Sequence, residues 1–232
     1  LLGPNGAGKT TTLKLLSGIL YPTSGEVLVN GFVPWERKNE FKRSFAIVMG
    51  QKNQLWWDLP ASDSLYLNKC IYDVDDREYK KTVDELSELL GVRELMNIQV
   101  RRLSLGERMK MEILAALIHR PGILFLDEPT IGLDIVSQQK IRDFLHYYNE
   151  QTKTTVILTS HYMRDIEALC SRAVIINSGT LVYDGALSDI NHRMGDKRLL
   201  TLSFSSPVEN GKLSVFGRVR ENKDLTAVLE IP

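Results

Sequence analysis

The chain has 232 residues, 43% of them hydrophobic and 25% charged, enough to bury one substantial core and leave room for a small appendage. Lys plus Arg and Asp plus Glu balance at 29 each, which excludes a global basic field for nucleic acid and an acidic tail. Cys70 and Cys170 stand far apart without CxxC or histidine spacing, excluding a disulfide framework and a zinc site and fitting a reducing compartment.

The apolar runs, such as ILAALI at 113–118, are shorter than the ~20 residues that cross a bilayer, and no signal peptide is visible. Any service to a membrane is therefore expected from outside it. The sequence opens LLGPNGAGKT, with no initiator Met and inside what reads as a strand, so the N-terminus is expected to be truncated. Gly3-Pro4-Asn5-Gly6-Ala7-Gly8-Lys9-Thr10 fits G-x-x-x-x-G-K-[ST]. Leu13, Leu16 and Leu20 follow at helical spacing, and Pro22 with Gly25 is expected to end that helix. Such a loop wraps its N–H groups around phosphates, Lys9 offers an ammonium to the β and γ groups, and Thr10 offers a hydroxyl to Mg²⁺. An ordinary glycine-rich turn is the alternative that a second element must decide.

FAIVM at 45–49 reads as a strand, with Gln51 just beyond it. In QLWWDLP, residues 54–60, adjacent Trp56 and Trp57 point to opposite sides of an extended segment. Either one enters the core while the other faces outward, or both pack between subdomains. Residues 75–91 begin with acids, place Val83, Leu86 and Leu90 on one face and stop at Gly91, the pattern of a helix. RRLSLGERMK, residues 101–110, reads as a helix start suited to an anion: Ser104 caps, Gly106 clears space and Glu107 opens the helical run. A plain capping box between Ser104 and Glu107 can hold at the same time.

GILFLDEPT, residues 122–130, is a continuous apolar run of the kind that forms a buried parallel strand, and it ends in two carboxylates. Ligands in open α/β sheets bind beyond the carboxyl ends of strands, which places Asp127 in a Mg²⁺ shell and Glu128 as the base for an attacking water. TTVILTS, 154–160, reads as another such strand, with His161 at its carboxyl edge. Residues 166–185 read as helix, strand, turn and strand. From about Leu199 the pattern alternates in RLLTLSFSS and KLSVFGRVRE around a turn at 207–211, with DLTAVLEIP as a further strand. The first two segments are expected to form a small β hairpin or an accessory domain.

Together these motifs resemble the ATP-binding cassette (ABC) ATPases, and the resemblance covers residues 1–185. LSLGE at 103–107 resembles the family signature, with Leu105 where Gly is usual; IGLD at 131–134, ending in Asp134, resembles the D-loop; His161 resembles the switch histidine and Gln51 the Q-loop glutamine. The resemblance implies an α/β P-loop fold with a helical subdomain at about 58–118 inside an ATPase domain of residues 1–195, and a β-rich accessory segment at 196–232. It implies ATP and Mg²⁺, with the nucleotide held by Gly3 to Thr11 (Thr11 included) and the metal by Thr10, Gln51 and Asp127. It also implies catalysis by Glu128 with Gln51 and His161, and a composite site in which Ser104, Gly106, Glu107 and Asp134 meet the nucleotide of a second ATPase subunit in a homo- or heterodimer. An upstream strand and an adenine-stacking aromatic are expected before Leu1. The implied protein is an ATP-hydrolysing subunit, peripheral at the cytoplasmic face of the cell membrane, driving a separate membrane-spanning permease of bacterial drug-export type without nucleic acid. The alternative is a non-transport ABC ATPase or an ATP-gated regulatory module. The short helical insertion lacks the heptads of chromosome-maintenance relatives, and no second Walker A follows as in tandem translation factors.

Overall fold

The computed structural model describes residues 1–50, 52–160, 162–190, 198–206 and 208–231. Two compact units divide the chain, Leu1–Asp184 and Gly185–Pro232.

In the first unit, α1 (Lys9–Leu16) is followed by a single turn of 3₁₀ helix at Pro34–Glu36, then α2 (Asn39–Ser44) and β1 (Phe45–Met49). Three longer helices follow, α3 (Ala61–Tyr72), α4 (Asp76–Leu90) and α5 (Leu105–Leu117), before β2 (Ile123–Asp127). The unit then continues with α6 (Ile135–Thr152), β3 (Thr155–Thr159), α7 (Met163–Leu169), β4 (Arg172–Asn177) and the strand β5 (Thr180–Ala186). The strands β1, β2 and β3 pair in parallel in that order, and the register aligns Met49, Asp127 and Thr159 in one row. Parallel pairing requires a crossover between successive strands, which is what α5 and α6 provide. Leu2 adds an isolated parallel bridge to Ile175, and its N–H donates to the Val174 carbonyl at 2.8 Å, so the loop that follows begins at the same carboxyl edge.

The β2 sequence ILFLD reads as a continuous apolar run because both its faces are covered. Leu124 and Leu126 join a cluster with Leu65, Leu90, Leu114 and Ile141, whereas Ile123 and Phe125 pack with Leu13, Val29 and Phe41. The helix expected over 75–91 is α4: the Asp75 carboxylate caps it by accepting the N–H groups of Arg77 and Glu78, and Gly91 ends it in the left-handed conformation. Leu86 and Leu90 are buried, with Val83 packed against them.

One helix is shorter than the spacing suggests. α1 stops at Leu16 rather than running toward Pro22, because Gly18 turns the chain at φ 72°, and Leu20 is consequently exposed. Among the described residues no helix is long and apolar enough to cross a membrane.

The second unit contains a three-stranded antiparallel sheet of β6 (Arg198–Ser203), β7 (Arg218–Lys223) and β8 (Thr226–Ile231), in the order β6-β8-β7. The alternation in its sequence marks strands correctly but misplaces one pairing. The hairpin joins β7 to β8 through Asp224, at φ 52°, and β6 pairs with the last strand, not the next. The end of the expected turn at 207–211 and the first two residues of the expected strand, Lys212 and Leu213, instead form the single-turn helix α8 (Asn210–Leu213), whose Leu213 is buried with Ala227 and Leu229.

Candidate functional site

The loop Gly3–Gly8 leaves the sheet edge and enters α1 through Gly8, whose backbone at φ 108° turns the first-turn N–H groups of α1 toward a cleft of about 510 Å³. Asn5, Gly6, Gly8, Lys9, Thr10 and Thr11 form one wall, and Asp127 and Glu128 form the opposite one. Lys9 is buried, with its Nζ donating to the carbonyls of Gly3 at 2.9 Å and Pro4 at 3.2 Å and lying 3.9 Å from Glu128 Oε1. The Thr10 hydroxyl meets both oxygens of Asp127, at 3.0 and 2.8 Å. Residues separated by 117 positions in sequence thus share one small volume.

Strand register explains this convergence. Asp127 ends β2 directly beside Thr159, and the Thr159 hydroxyl donates to Asp127 Oδ1 at 2.6 Å. The Glu128 N–H donates in turn to both the Thr159 carbonyl at 3.1 Å and its hydroxyl at 3.0 Å. Glu128 itself has a left-handed backbone, φ 51°, which costs a non-glycine residue about 1–3 kcal/mol and persists only when neighbours fix it. Thr159 was not singled out by the sequence; its position two residues before the expected switch histidine was the available signal.

A second missed group lies behind the site. The Asp165 carboxylate, wholly buried at the start of α7, pairs with Arg142 of α6 at 2.8 Å and accepts hydrogen bonds from the Thr130 and Ser160 hydroxyls. This network fastens the segment after Glu128, the end of β3 and α6 to one charge, and such a pair tolerates burial because every partner is satisfied. Gln51 and His161 lie outside the described residues.

The helix start at residues 103–107 forms with the capping box that its sequence indicates. Ser104 accepts the Glu107 N–H at 3.3 Å, and Glu107 Oε2 accepts the Ser104 N–H at 2.8 Å, a reciprocal capping box. Ser104 and Leu105 are exposed, but Gly106 is buried. A methyl group on Gly106 would overlap the Ser137 hydroxyl and lie 3.4 Å from Asp134 Oδ2, so the missing side chain is used inside the chain to seat α5 against α6. Asp134 caps α6, accepting the Ser137 N–H at 2.9 Å, and hydrogen bonding from the Ser137 hydroxyl first and its N–H second holds the Asp134 carboxyl below the usual value.

The arrangement can hold a nucleoside triphosphate: a lysine and helix N–H groups for phosphate, a hydroxyl–carboxylate pair of hard oxygens, and an adjacent carboxylate able to take a proton from water. Fold and site together define a P-loop nucleotide hydrolase. Residues 1–131 match the ABC transporter family. The chain is 36% identical over 190 residues to the ABC transporter ATP-binding protein NatA of Bacillus subtilis, covering 82% of this chain and 77% of that one. It is 37% identical over 205 residues to the linearmycin resistance ATP-binding protein LnrL of the same species, covering 88% of this chain and 65% of the relative. Its fold matches the solved dimer of an ATP-binding cassette in a post-hydrolysis state bound to ADP and Pi, with a TM-score of 0.71, 25% identity and coverage of 80% and 83%. The chain belongs to the ABC transporter family, as one of its ATP-binding, ATP-hydrolysing subunits.

Proposed function

We propose that the chain is the engine of a membrane exporter, closing a dimer when it binds ATP and reopening it after hydrolysis. The observation that carries this reading is the meeting of Lys9, Thr10, Asp127 and Glu128 in one cleft at the carboxyl edge of a parallel sheet. In this assignment Gly3 to Thr11 hold the phosphates, and Glu128 removes a proton from the attacking water. Thr10 and Asp127 suit Mg²⁺, because hydroxyl and carboxylate oxygens are the donors that a hard cation takes. Mg²⁺ held by Thr10 and Asp127 would supply neutralisation of the phosphate charge. Gln51 and His161 are assigned to the metal and γ-phosphate side by resemblance to the family.

Each chain offers one lysine-bearing loop and one separate anion-type helix start, so we assign Ser104, Gly106, Glu107 and Asp134 to the nucleotide of the partner subunit. The membrane-spanning permease, a separate chain, is assigned to the face carrying Trp56, Trp57 and Leu59, all exposed. Leu55, beside them in sequence, is buried in the core and is not part of that face. On this reading we assign the subunit to the cytoplasmic face of the membrane. Residues 196–232 are assigned as a β-rich accessory segment to an ATPase domain of residues 1–195 that includes the helices α3 to α5. Likeness to the linearmycin resistance ATP-binding protein LnrL supports export as the direction. The decisive experiment is co-reconstitution with the membrane protein encoded beside it: ATP turnover that rises on assembly and moves a solute supports the reading, whereas turnover indifferent to that subunit rejects it.

A further inference from the structure

The parallel register of β1 with β2 sets Met49 opposite Asp127, so the next residue, Gly50, reaches the chain where Glu128 begins. Its N–H donates to the Asp127 carbonyl at 2.8 Å. Its Cα side has no spare volume. A methyl group built there overlaps the Glu128 carbonyl oxygen and stands 3.0 Å from the Glu128 carbonyl carbon and 3.1 Å from the Asp127 oxygen. These are backbone atoms, which cannot swing away as a flexible side chain would. On its other side Glu128 is held by the hydroxyl and carbonyl of Thr159. Glu128 therefore keeps its left-handed backbone between two walls, and its carbonyl accepts the Ile131 N–H at 3.3 Å to start the turn toward Asp134.

We propose that Gly50 is a positioning residue for Glu128: the bare Cα sets where the backbone of the proposed base lies, and so where its carboxylate points. This rests on the reading of Glu128 as the base. Gly50 is not needed for an unusual backbone angle of its own, since it is absent from the positive-φ glycines; its role is close approach. Displacing a general base by a fraction of an ångström damages proton transfer, while the phosphate contacts of Lys9 and Thr10 on α1 are left in place.

The test uses the full chain in its dimer and compares wild type, Gly50→Ala, Glu128→Gln and the double variant, with Gly122→Ala as a control whose added methyl meets only Ser44 O at 3.7 Å. Turnover, KM for ATP, binding of a fluorescent ATP analogue and thermal unfolding are measured for each. We expect Gly50→Ala to lower kcat roughly tenfold or more with KM and nucleotide affinity within about threefold of wild type. In the Glu128→Gln background the same change should alter the residual rate less than about twofold, because a positioning residue has nothing left to position. Gly122→Ala should behave as wild type. The proposal is overturned if Gly50→Ala keeps its turnover, if its loss is equally large without the carboxylate, or if the variant does not fold, which would make the glycine a packing residue of β1. Unchanged turnover in Glu128→Gln alone would instead remove the base assignment, and that result is separable from the others.

Discussion

Thr159 and Asp127 end neighbouring strands side by side, and the Thr159 hydroxyl donates to Asp127 Oδ1 at 2.6 Å while accepting the Glu128 N–H at 3.0 Å. One small side chain thus aims the carboxylate assigned to metal and fixes the backbone of the residue assigned as base. Thr159→Val keeps the shape and removes both bonds. Both groups keep a second partner, Asp127 from the Thr10 hydroxyl and the Glu128 N–H to the Thr159 carbonyl, so the loss is that of ordinary hydrogen bonds at about 0.5–1.5 kcal/mol each, and we expect modestly lowered thermal stability and a fall in kcat of roughly tenfold. Thr159→Ser, which retains the hydroxyl, should recover most of the turnover. Equal rates for the valine and serine variants would show that the hydroxyl does not act on the site.

Glu128→Gln preserves size and the carbonyl acceptor but removes the base. ATP binding should persist, the dimer should become trapped, and hydrolysis should fall by ~10² or more. Gel filtration in ATP together with phosphate release checks both halves of this prediction.

The exposed Ser104 start and the Lys9 loop can be tested as halves of one composite site. Mixing a chain bearing Ser104→Arg with one bearing Lys9→Ala leaves one composite site intact and one doubly broken if the two act between subunits. Each single-variant homodimer should be inactive, and an equal mixture, in which about half of the dimers are mixed and each of those keeps one of two sites, should regain about a quarter of wild-type turnover. Wild-type activity in either homodimer would defeat the arrangement.

The motifs of this site were legible because each couples a residue type to a strand or helix end. GPNGAGKT, LFLDE and LSLGE state both chemistry and position in a few letters, and the row Met49, Asp127, Thr159 follows from three apolar runs forming one parallel sheet. The packing that supports the site was not legible. Gly106 reads as space for a ligand, whereas its missing side chain admits Ser137, and nothing in the sequence shows that residues so far apart adjoin. Asp165 looks like an ordinary helix-start acid until Arg142, Thr130 and Ser160 converge on it. The tail misled for a related reason: alternation identifies strands, but pairing order depends on contacts across the sheet, and β8 rather than the next strand met β6.

Glu112 in α5 offers a test by pH. Its Oε1 accepts the Gln54 N–H at 2.9 Å, while Oε2 is buried with no hydrogen-bond partner among the described residues, and burial raises its pKa against the smaller opposing effects of the Gln54 and Leu55 amides and Arg108. Above the usual glutamate value of about 4.3 the unfolded chain has released this proton while the folded chain retains it, so stability falls as pH rises through that window. Glu112→Gln removes the effect. The melting temperature of the variant relative to wild type should therefore climb between about pH 4.5 and neutrality. Parallel melting curves across that range would show that Glu112 ionises alike in both states.

The loop at 54–60 presents its two tryptophans differently from a simple in-and-out alternation. Trp56 is 58% exposed and Trp57 47%, so neither enters the core; Leu55 does instead. The backbone between them is held: the Trp56 N–H donates to Ser64 Oγ at 3.0 Å, and the Trp57 carbonyl accepts the Arg101 N–H at 3.0 Å. The rings are therefore displayed on a fixed segment, which lowers the entropy lost when a partner covers them. Large aromatics left in water on a rigid frame suit an interface anchor. Trp57 has one further link, since the Arg108 guanidinium lies 5.5 Å over its ring, and Arg108 belongs to the helix that begins at Ser104. Pressure on Trp57 would thus reach the helix assigned to the partner's nucleotide. Trp56→Ala and Trp57→Ala, made separately in the full-length protein, should each keep the fold, because neither ring contributes to the core. Basal ATP turnover of the isolated subunit should stay within about twofold, a surface truncation costing within about 0.5 kcal/mol. At least one of the two should lose assembly with the permease, or transport by the assembled complex, and the loss at Trp57 should be partly reproduced by Arg108→Ala. If both variants unfold, or both assemble and transport as wild type, the tryptophans are not the contact through which the membrane subunit is driven.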